Sequence, residues 1–153
     1  MARTKSNNYA LPQARATEWY LKDGRGFYVK EDKKNCVIYL TPDGVILYAI
    51  PREKFVLDPD KFRPIYIGTD LEAEAERVYE GDILDEEYRK VRIFEFENGK
   101  TVHINEKFYT EFQKVYGEYF QRGEVSVYAQ GPNAPLMFVR NGSVLGLILP
   151  IRH

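Results

Sequence analysis

Few residues of this chain have the types and spacing that catalysis requires. His103 and His153 are its two histidines, and no cysteine and histidine cluster has the spacing of a zinc site. Ser126 and Ser143 fall in predicted strands, and neither lies in the Gly-x-Ser-x-Gly turn of a nucleophile elbow. We therefore expect no catalytic residue, no metal ligand and no cofactor-binding residue, and we expect that the protein is not an enzyme.

Carboxylates are the one group dense enough to suggest a metal, since hard divalent cations prefer several oxygen ligands. They are concentrated in residues 71–87, without the spacing of an EF-hand: Glu72, Glu74, Glu76, Glu80, Asp82, Asp85, Glu86 and Glu87. This density is typical of a solvated acidic segment. Two alternatives stay open: a metal-dependent enzyme with carboxylate ligands, and an unrelated small α+β binding protein whose acidic segment meets a basic partner.

Length and charge limit the class of protein. A chain of 153 residues fits a single domain, residues 1–153, with one hydrophobic core. Lys and Arg number 22 against 23 Asp and Glu, so the formal charge is −1. This balance excludes a strongly cationic protein that binds nucleic acid or anionic membranes through net charge alone.

The chain has no sequence signal for secretion or for membrane insertion. Its single cysteine, Cys36, cannot form an internal disulfide and lies in an apolar run typical of core packing. The N-terminus is polar, and we expect it to be flexible over residues 1–10. No run approaches the roughly 18 apolar residues of a membrane helix. We expect a cytoplasmic protein with no membrane partner.

Antiparallel strands are predicted by short alternating runs rich in tyrosine and phenylalanine. Asp-Gly at 43–44 and Asn-Gly at 98–99 and 141–142 suit the positive φ angles of tight hairpin turns. The predicted hairpins pair residues 36–40 with 45–50, 91–97 with 101–104, and 137–140 with 144–149. Residues 26–30 and 124–130 are two further strand candidates.

Two helices and one ambiguous segment complete the prediction. Aromatic and aliphatic residues at i, i+4, i+7 and i+11 predict a helix over residues 106–121, with Asn105 as N-cap and Gly123 beyond its end. Residues 12–22 form a second candidate, followed by Gly24. Residues 71–79 suit a short helix or an extended segment equally.

These elements repeat in order along the chain. A helix and three strands fill residues 12–50, and a strand, a helix and three strands fill residues 101–149. The two halves end alike, as turn, apolar strand, proline and arginine. The order suggests a two-fold structural repeat, with residues 51–90 as an acidic insertion between the halves.

Residues 101–152 resemble the last half-domain of the bacterial sliding clamp, the beta subunit of DNA polymerase III. The similarity lies in three short motifs: Ile104-Asn105-Glu106-Lys107-Phe108-Tyr109, Pro135-Leu136-Met137-Phe138 and Leu149-Pro150-Ile151-Arg152. They are similar to the family's "N-P-K-Y-L" helix start, its "P-hydrophobic" strand and its terminal "M-P-hydrophobic-R". The resemblance implies a duplicated β-α-β-β-β domain, of which six close a ring. A clamp chain has three such domains, whereas this chain has room for one.

The resemblance also implies two surfaces. The family's helix at residues 106–121 faces DNA, which makes Lys107, Lys114 and Arg122 possible DNA-facing residues. Lys107, Glu111, Lys114, Glu118 and Gln121 sum to zero charge, however, and are spaced for ion pairs along the helix, so we expect direct nucleic-acid binding to be weak or absent. In clamps the C-terminal motif borders a groove for partner peptides, and this role would fall to Leu149, Pro150, Ile151 and Arg152.

The sequence therefore predicts an α+β domain of antiparallel sheet with two or three helices, most similar to one sliding-clamp domain. The function that we expect is non-enzymatic: a clamp-like protein acting by protein–protein contacts, associated with replication or derived from a phage or mobile element. A protein partner or a homo-oligomer is expected.

Overall fold

The computed structural model describes residues 6–24, 26–31, 36–64 and 72–151. Within these ranges the chain forms three α-helices and a single ten-stranded sheet. The predicted α+β class is confirmed. The elements in chain order are α1 (Ala10–Asp23), β1 (Phe27–Glu31), β2 (Cys36–Leu40), β3 (Ile46–Pro51), β4 (Phe62–Pro64), β5 (Glu76–Asp85), β6 (Lys90–Phe96), β7 (Thr101–Asn105), α2 (Glu106–Val115), α3 (Gly117–Gln121), β8 (Ser126–Ala129), β9 (Leu136–Arg140) and β10 (Ser143–Ile148).

The sheet joins two groups of three strands at its centre. Its spatial order is β4-β1-β2-β3-β10-β9-β8-β5-β6-β7, and each neighbouring pair is antiparallel except β1 and β4. Strands β1 to β3 follow α1, and strands β8 to β10 follow α2 and α3. The last strand of each group pairs with the other, with Leu47 opposite Leu147.

The three predicted hairpins form as pairs of neighbouring strands, β2 with β3, β6 with β7 and β9 with β10. Gly44, Gly99 and Gly142 take φ angles of 75°, 89° and 76° in the turns, which glycine adopts without steric cost. Strands β1 and β8 occupy the two further candidate segments. Residues 72–75 form a turn, and β5 begins at Glu76, so the described part of the ambiguous segment is not helical.

The predicted helix over residues 106–121 is divided in two. Asn105 caps α2 by accepting a hydrogen bond from the Lys107 amide at 3.0 Å, as predicted. The helix then breaks at Tyr116, whose backbone leaves helical geometry at φ −105° and ψ 37°. The Tyr116 hydroxyl donates toward the Ala49 and Leu145 carbonyls at 2.8 and 2.6 Å, and this anchors the break to the sheet.

Two other segments take part in the fold where the structure describes them. Residues 51–90, expected as an insertion, supply β4 beside β1 and also β5, which links β8 to β6. Residues 1–5 of the expected flexible N-terminus lie outside the described residues. The remainder is anchored, since the Asn8 amide donates to the Val115 carbonyl at 2.7 Å and Ala10 begins α1.

The core lies between the helices and one face of the sheet. The Phe112 ring of α2 packs 5.6 Å from Tyr48 on β3 and 4.5 Å from Phe138 on β9, measured between ring centroids. Gly146 on β10 makes room for this ring, because a Cβ at that position would lie 2.7 Å from Phe112 Cε2. The aromatic stripe predicted from the sequence therefore holds α2 over the junction of the two strand groups.

Candidate functional site

An open groove of about 820 Å³ separates the two long helices from the tip of the β5–β6 hairpin. Side chains from α1, α2, the hairpin tip and the β2–β3 turn line it. We call this surface the α1–α2 groove, and its residues are Arg15, Trp19, Asp43, Tyr88, Arg89, Lys90, Asn105, Glu106, Lys107, Phe108, Thr110, Glu111 and Lys114.

A smaller apolar slot of about 60 Å³ adjoins the groove. Trp19 and Phe108 line both spaces, so the slot lies beside the wall of the groove. Tyr39 and Tyr48 also line the slot, and burial raises the pKa of both hydroxyls well above the usual range. The slot is thus lined by uncharged aromatic groups together with the charged side chains of Arg15, Asp43 and Glu111.

The carboxylates of the groove are already bound by the protein. Glu111 pairs with Arg15, whose Nε lies 2.6 Å from Glu111 Oε1. Glu106 accepts two hydrogen bonds from the Arg92 guanidinium, both at 2.9 Å. Asp43 accepts hydrogen bonds from the Thr41 hydroxyl and from the backbone amide of residue 45. Arginines therefore neutralise Glu106 and Glu111, whereas Asp43 keeps its negative charge because its two donors are neutral groups.

The lysines of the groove, unlike Glu106 and Glu111, have no ion-pair partner among the described residues. Within the described part of the chain, Lys90, Lys107 and Lys114 form no ion pair. Arg89 has only a loose contact, with its Nε 3.6 Å from Glu86 Oε2 at the exposed hairpin tip. Among the described residues, the lining of the groove therefore carries more positive than negative charge: Arg15, Arg89, Lys90, Lys107 and Lys114 against Asp43, Glu106 and Glu111.

Arg92 fixes the wall of the groove by joining three elements. From β6 it binds Glu106 at the start of α2, and its Nη1 donates to the Gly81 carbonyl on β5 at 3.0 Å. The hydrogen bonds to Glu106 raise the pKa of Arg92 further above its ordinary value. A bidentate pair of this kind has fixed geometry, so it sets the position of the hairpin relative to α2.

The structure brings together two of the three possible DNA-facing residues. Lys107 and Lys114 both line the groove, whereas Arg122 follows α3 and pairs with Glu118 and Glu124 at 3.2 and 3.9 Å. The ion pairs expected for the two lysines do not form, because Glu111 pairs with Arg15 on α1 and Glu118 pairs with Arg122 four residues further on. The positive charges of Lys107 and Lys114, which were expected to be cancelled by glutamates of the same helix, are thus exposed in the groove.

The C-terminal residues predicted to bind a peptide lie on another part of the surface. The Leu149 amide donates to the Val45 carbonyl at 2.9 Å, and the Ile151 amide donates to the His103 carbonyl at 2.7 Å. Leu149 is exposed, Pro150 and Ile151 are half-buried, and Arg152 lies outside the described residues. The segment is held against β3 and β7 rather than extending freely from an edge strand.

Other candidate residues have local structural partners. His103 is half-buried, between buried Val102 and Ile104, and its Nε2 lies 3.1 Å from the Thr101 hydroxyl. Cys36 is half-buried at the start of β2. No group of three or more potential metal ligands occurs among the described residues. The acids of residues 82–87 are exposed at the tip of the β5–β6 hairpin.

Sequence analysis did not identify the aromatic part of the groove. Trp19, Tyr88 and Phe108 come from three elements far apart in the chain, and only the strand order brings them together. One signal was available: Trp19 is the single tryptophan and lies outside a continuous apolar stripe, and exposed tryptophan is enriched at binding surfaces.

Comparison with known proteins gives no family for this chain. No family model, no curated protein and no solved structure matches it. Among the helices that the structure describes, none has the length and apolar character needed to cross a membrane.

Proposed function

We propose that this protein is a non-enzymatic binding protein that acts through protein–protein contacts, with the α1–α2 groove as its contact surface. The observation that supports this proposal is the combination of an open groove, an adjoining aromatic slot and three lysines without partners among the described residues. Recognition sites typically combine an apolar pocket with a few polar groups that fix the orientation of the ligand.

A clamp-like assembly is a second part of the proposal. It is supported by the strand order, in which two helix-plus-three-strand groups meet at β3 and β10 and place α1 and α2 on the same face. A one-domain chain of this kind would require six copies to close a ring. In that setting the partners would be replication proteins in the cytoplasm, encoded by a cell, a phage or a mobile element.

Selection from a random peptide library tests whether the groove is a contact surface. The wild-type protein is the bait, and a Thr110→Phe variant serves for counter-selection. This substitution places a ring at the centre of the groove-facing side of α2. Thr110 is exposed, so the variant should fold normally. We expect peptides that bind the wild type and not the variant. Enrichment of the same peptides on both proteins, or of none, would contradict the proposal.

A further inference from the structure

We infer that the α1–α2 groove binds an acidic peptide segment with one small aliphatic side chain, an inference that rests on the proposed function and specifies its ligand. The acidic residues would contact the lysines, and the aliphatic side chain would enter the slot between Trp19 and Phe108.

The charge of the ligand follows from the ion pairs of the groove. Arg15 and Arg92 neutralise two of its carboxylates, and the third, Asp43, accepts hydrogen bonds from neutral groups and stays negative. Lys107 and Lys114 have no ion-pair partner among the described residues, so the lining keeps an excess of positive charge. These two lysines are seven residues apart on α2 and therefore lie on the same side of the helix, about two turns from each other. An extended ligand with several carboxylates can reach both.

Lys90 supplies positive charge from a second element, the β5–β6 hairpin. It lies at the start of β6, beside the almost fully exposed Tyr88, and both residues line the groove. A ligand in the groove would therefore meet cations from both α2 and the hairpin. Electrostatic complementarity of this kind favours an anionic ligand and disfavours a cationic one.

The slot defines the apolar part of the ligand. Its volume of about 60 Å³ is several times the roughly 10–15 Å³ that a single water requires, yet it is far smaller than the groove beside it. Aromatic and proline side chains supply about half of its lining, including Pro12 and Pro42, and Arg15, Asp43 and Glu111 also line it. A space of this size and character suits the end of an alanine, valine, leucine or isoleucine side chain.

A peptide fits these features better than a nucleic acid does. Single-stranded nucleic acid is bound by a continuous cationic track with a series of aromatic stacking surfaces. Here the exposed carboxylates of Asp85, Glu86 and Glu87 stand next to Tyr88 at the hairpin tip and would repel a long polyanion. A short acidic segment can end before it reaches them.

The test uses the fluorescence of Trp19, the single tryptophan of the chain, to follow binding in the groove. The first probe is a peptide pool in which Glu and Asp alternate with Ser around one position occupied by Ala, Val, Leu or Ile. The second pool replaces Glu and Asp with Gln and Asn, the third places Gly at the apolar position, and the fourth probe is oligothymidylate of equal charge. Each is titrated at low and at high salt.

We expect the acidic pool with the aliphatic residue to bind about tenfold more tightly than either altered pool. The double variant Lys107→Glu/Lys114→Glu should weaken its binding at least about tenfold. The matched control is Lys54→Glu/Lys100→Glu, which changes the net charge equally at exposed lysines that do not line the groove, and it should bind like the wild type.

Four outcomes would overturn the inference: equal binding of acidic and neutral pools, absence of binding by the acidic pool, equal loss in the control variant, or tighter binding of oligothymidylate. The proposed function is contradicted by a different result, that of the peptide-library selection. Neutral peptides that bind the wild type and not Thr110→Phe would leave the groove as a contact surface and reject only the acidic ligand, whereas a library without groove-dependent peptides would reject both.

Discussion

At the scale of single residues, the α1–α2 groove is defined by which charges have partners. Glu106 and Glu111 are each held by an arginine, while Lys107 and Lys114 beside them are not paired with any described residue. Trp19 is 37% exposed within the same groove, so a solute that enters can reach it. Its fluorescence therefore reports the local electrostatic potential.

Collisional quenching of Trp19 should reveal the positive potential of the groove. At low ionic strength we expect iodide to quench Trp19 several-fold more efficiently than caesium does, because lysines concentrate anions nearby, and we expect added salt to remove the difference. Lys107→Glu/Lys114→Glu should reverse the preference, while quenching by neutral acrylamide stays the same. Equal quenching by both ions in the wild type would contradict the assigned charge.

The buried Tyr116 hydroxyl should make a measurable contribution to stability. Tyr116→Phe leaves the Ala49 and Leu145 carbonyls without this donor, so we expect the free energy of unfolding in urea to fall by about 1–2 kcal/mol. Tyr88→Phe removes a hydroxyl from a side chain that is 90% exposed and should change stability by less than about 0.5 kcal/mol. Equal effects of the two substitutions would show that the hydroxyl does not anchor the helix break.

At the scale of elements, the junction of β3 and β10 is the point on which the architecture depends. α2 packs over it through Phe112, and Gly146 allows the approach of that ring and of the Leu47 carbonyl. Any side chain at position 146 would have to displace backbone as well as the aromatic ring.

Gly146→Ala should therefore be severely destabilising, by about 3 kcal/mol or more, since overpacking against backbone cannot relax. Gly131→Ala is the matched control, because a Cβ there meets nothing within 4 Å, and it should change stability by less than about 1 kcal/mol. Thermal and urea denaturation would measure both. A Gly146→Ala protein as stable as Gly131→Ala would contradict the described junction.

Elements with a strong local signal could be predicted from the sequence. The hairpins follow from Asp-Gly and Asn-Gly turns between apolar runs, and Asn105 and Gly24 mark a helix start and a helix end as expected. Strand β5 was predicted only in part, as one of two alternatives for residues 71–79, because Val78 is its only buried residue and acids occupy many of the other positions. The break at Tyr116 was missed because its cause is a pair of carbonyls on distant strands.

The groove could be predicted only in part. The resemblance to the clamp helix singled out Lys107 and Lys114 as possible DNA-facing residues, but their charges were expected to cancel against glutamates of the same helix. Those acids instead pair with Arg15 and Arg122, and the first of these pairs depends on how α1 packs beside α2. Ion-pair partners across elements are set by tertiary structure, which helix spacing does not specify.

At the scale of the whole molecule, the clamp-like proposal concerns assembly. Two groups of three strands share one sheet, and the helices lie together on one of its faces. A ring built from this chain would require several copies, because the chain has room for one domain. Its formal charge of −1 leaves little net repulsion between those copies.

Multi-angle light scattering over a wide concentration range tests this assembly. The clamp-like proposal predicts a mass that rises with concentration toward six copies of the 17.9 kDa chain. A constant monomer mass at the highest concentration would reject a ring. The groove would then be the contact surface of a monomeric binding protein.

Hydrogen exchange of the intact chain, with and without peptides selected on the wild-type protein, tests most directly whether the α1–α2 groove is the contact surface. We predict slower exchange confined to α1 around Arg15 and Trp19, the hairpin tip at Tyr88 to Lys90, and α2. Protection at Leu149 to Ile151 and along β7, with no change in the groove, would contradict the account and favour the C-terminal segment instead.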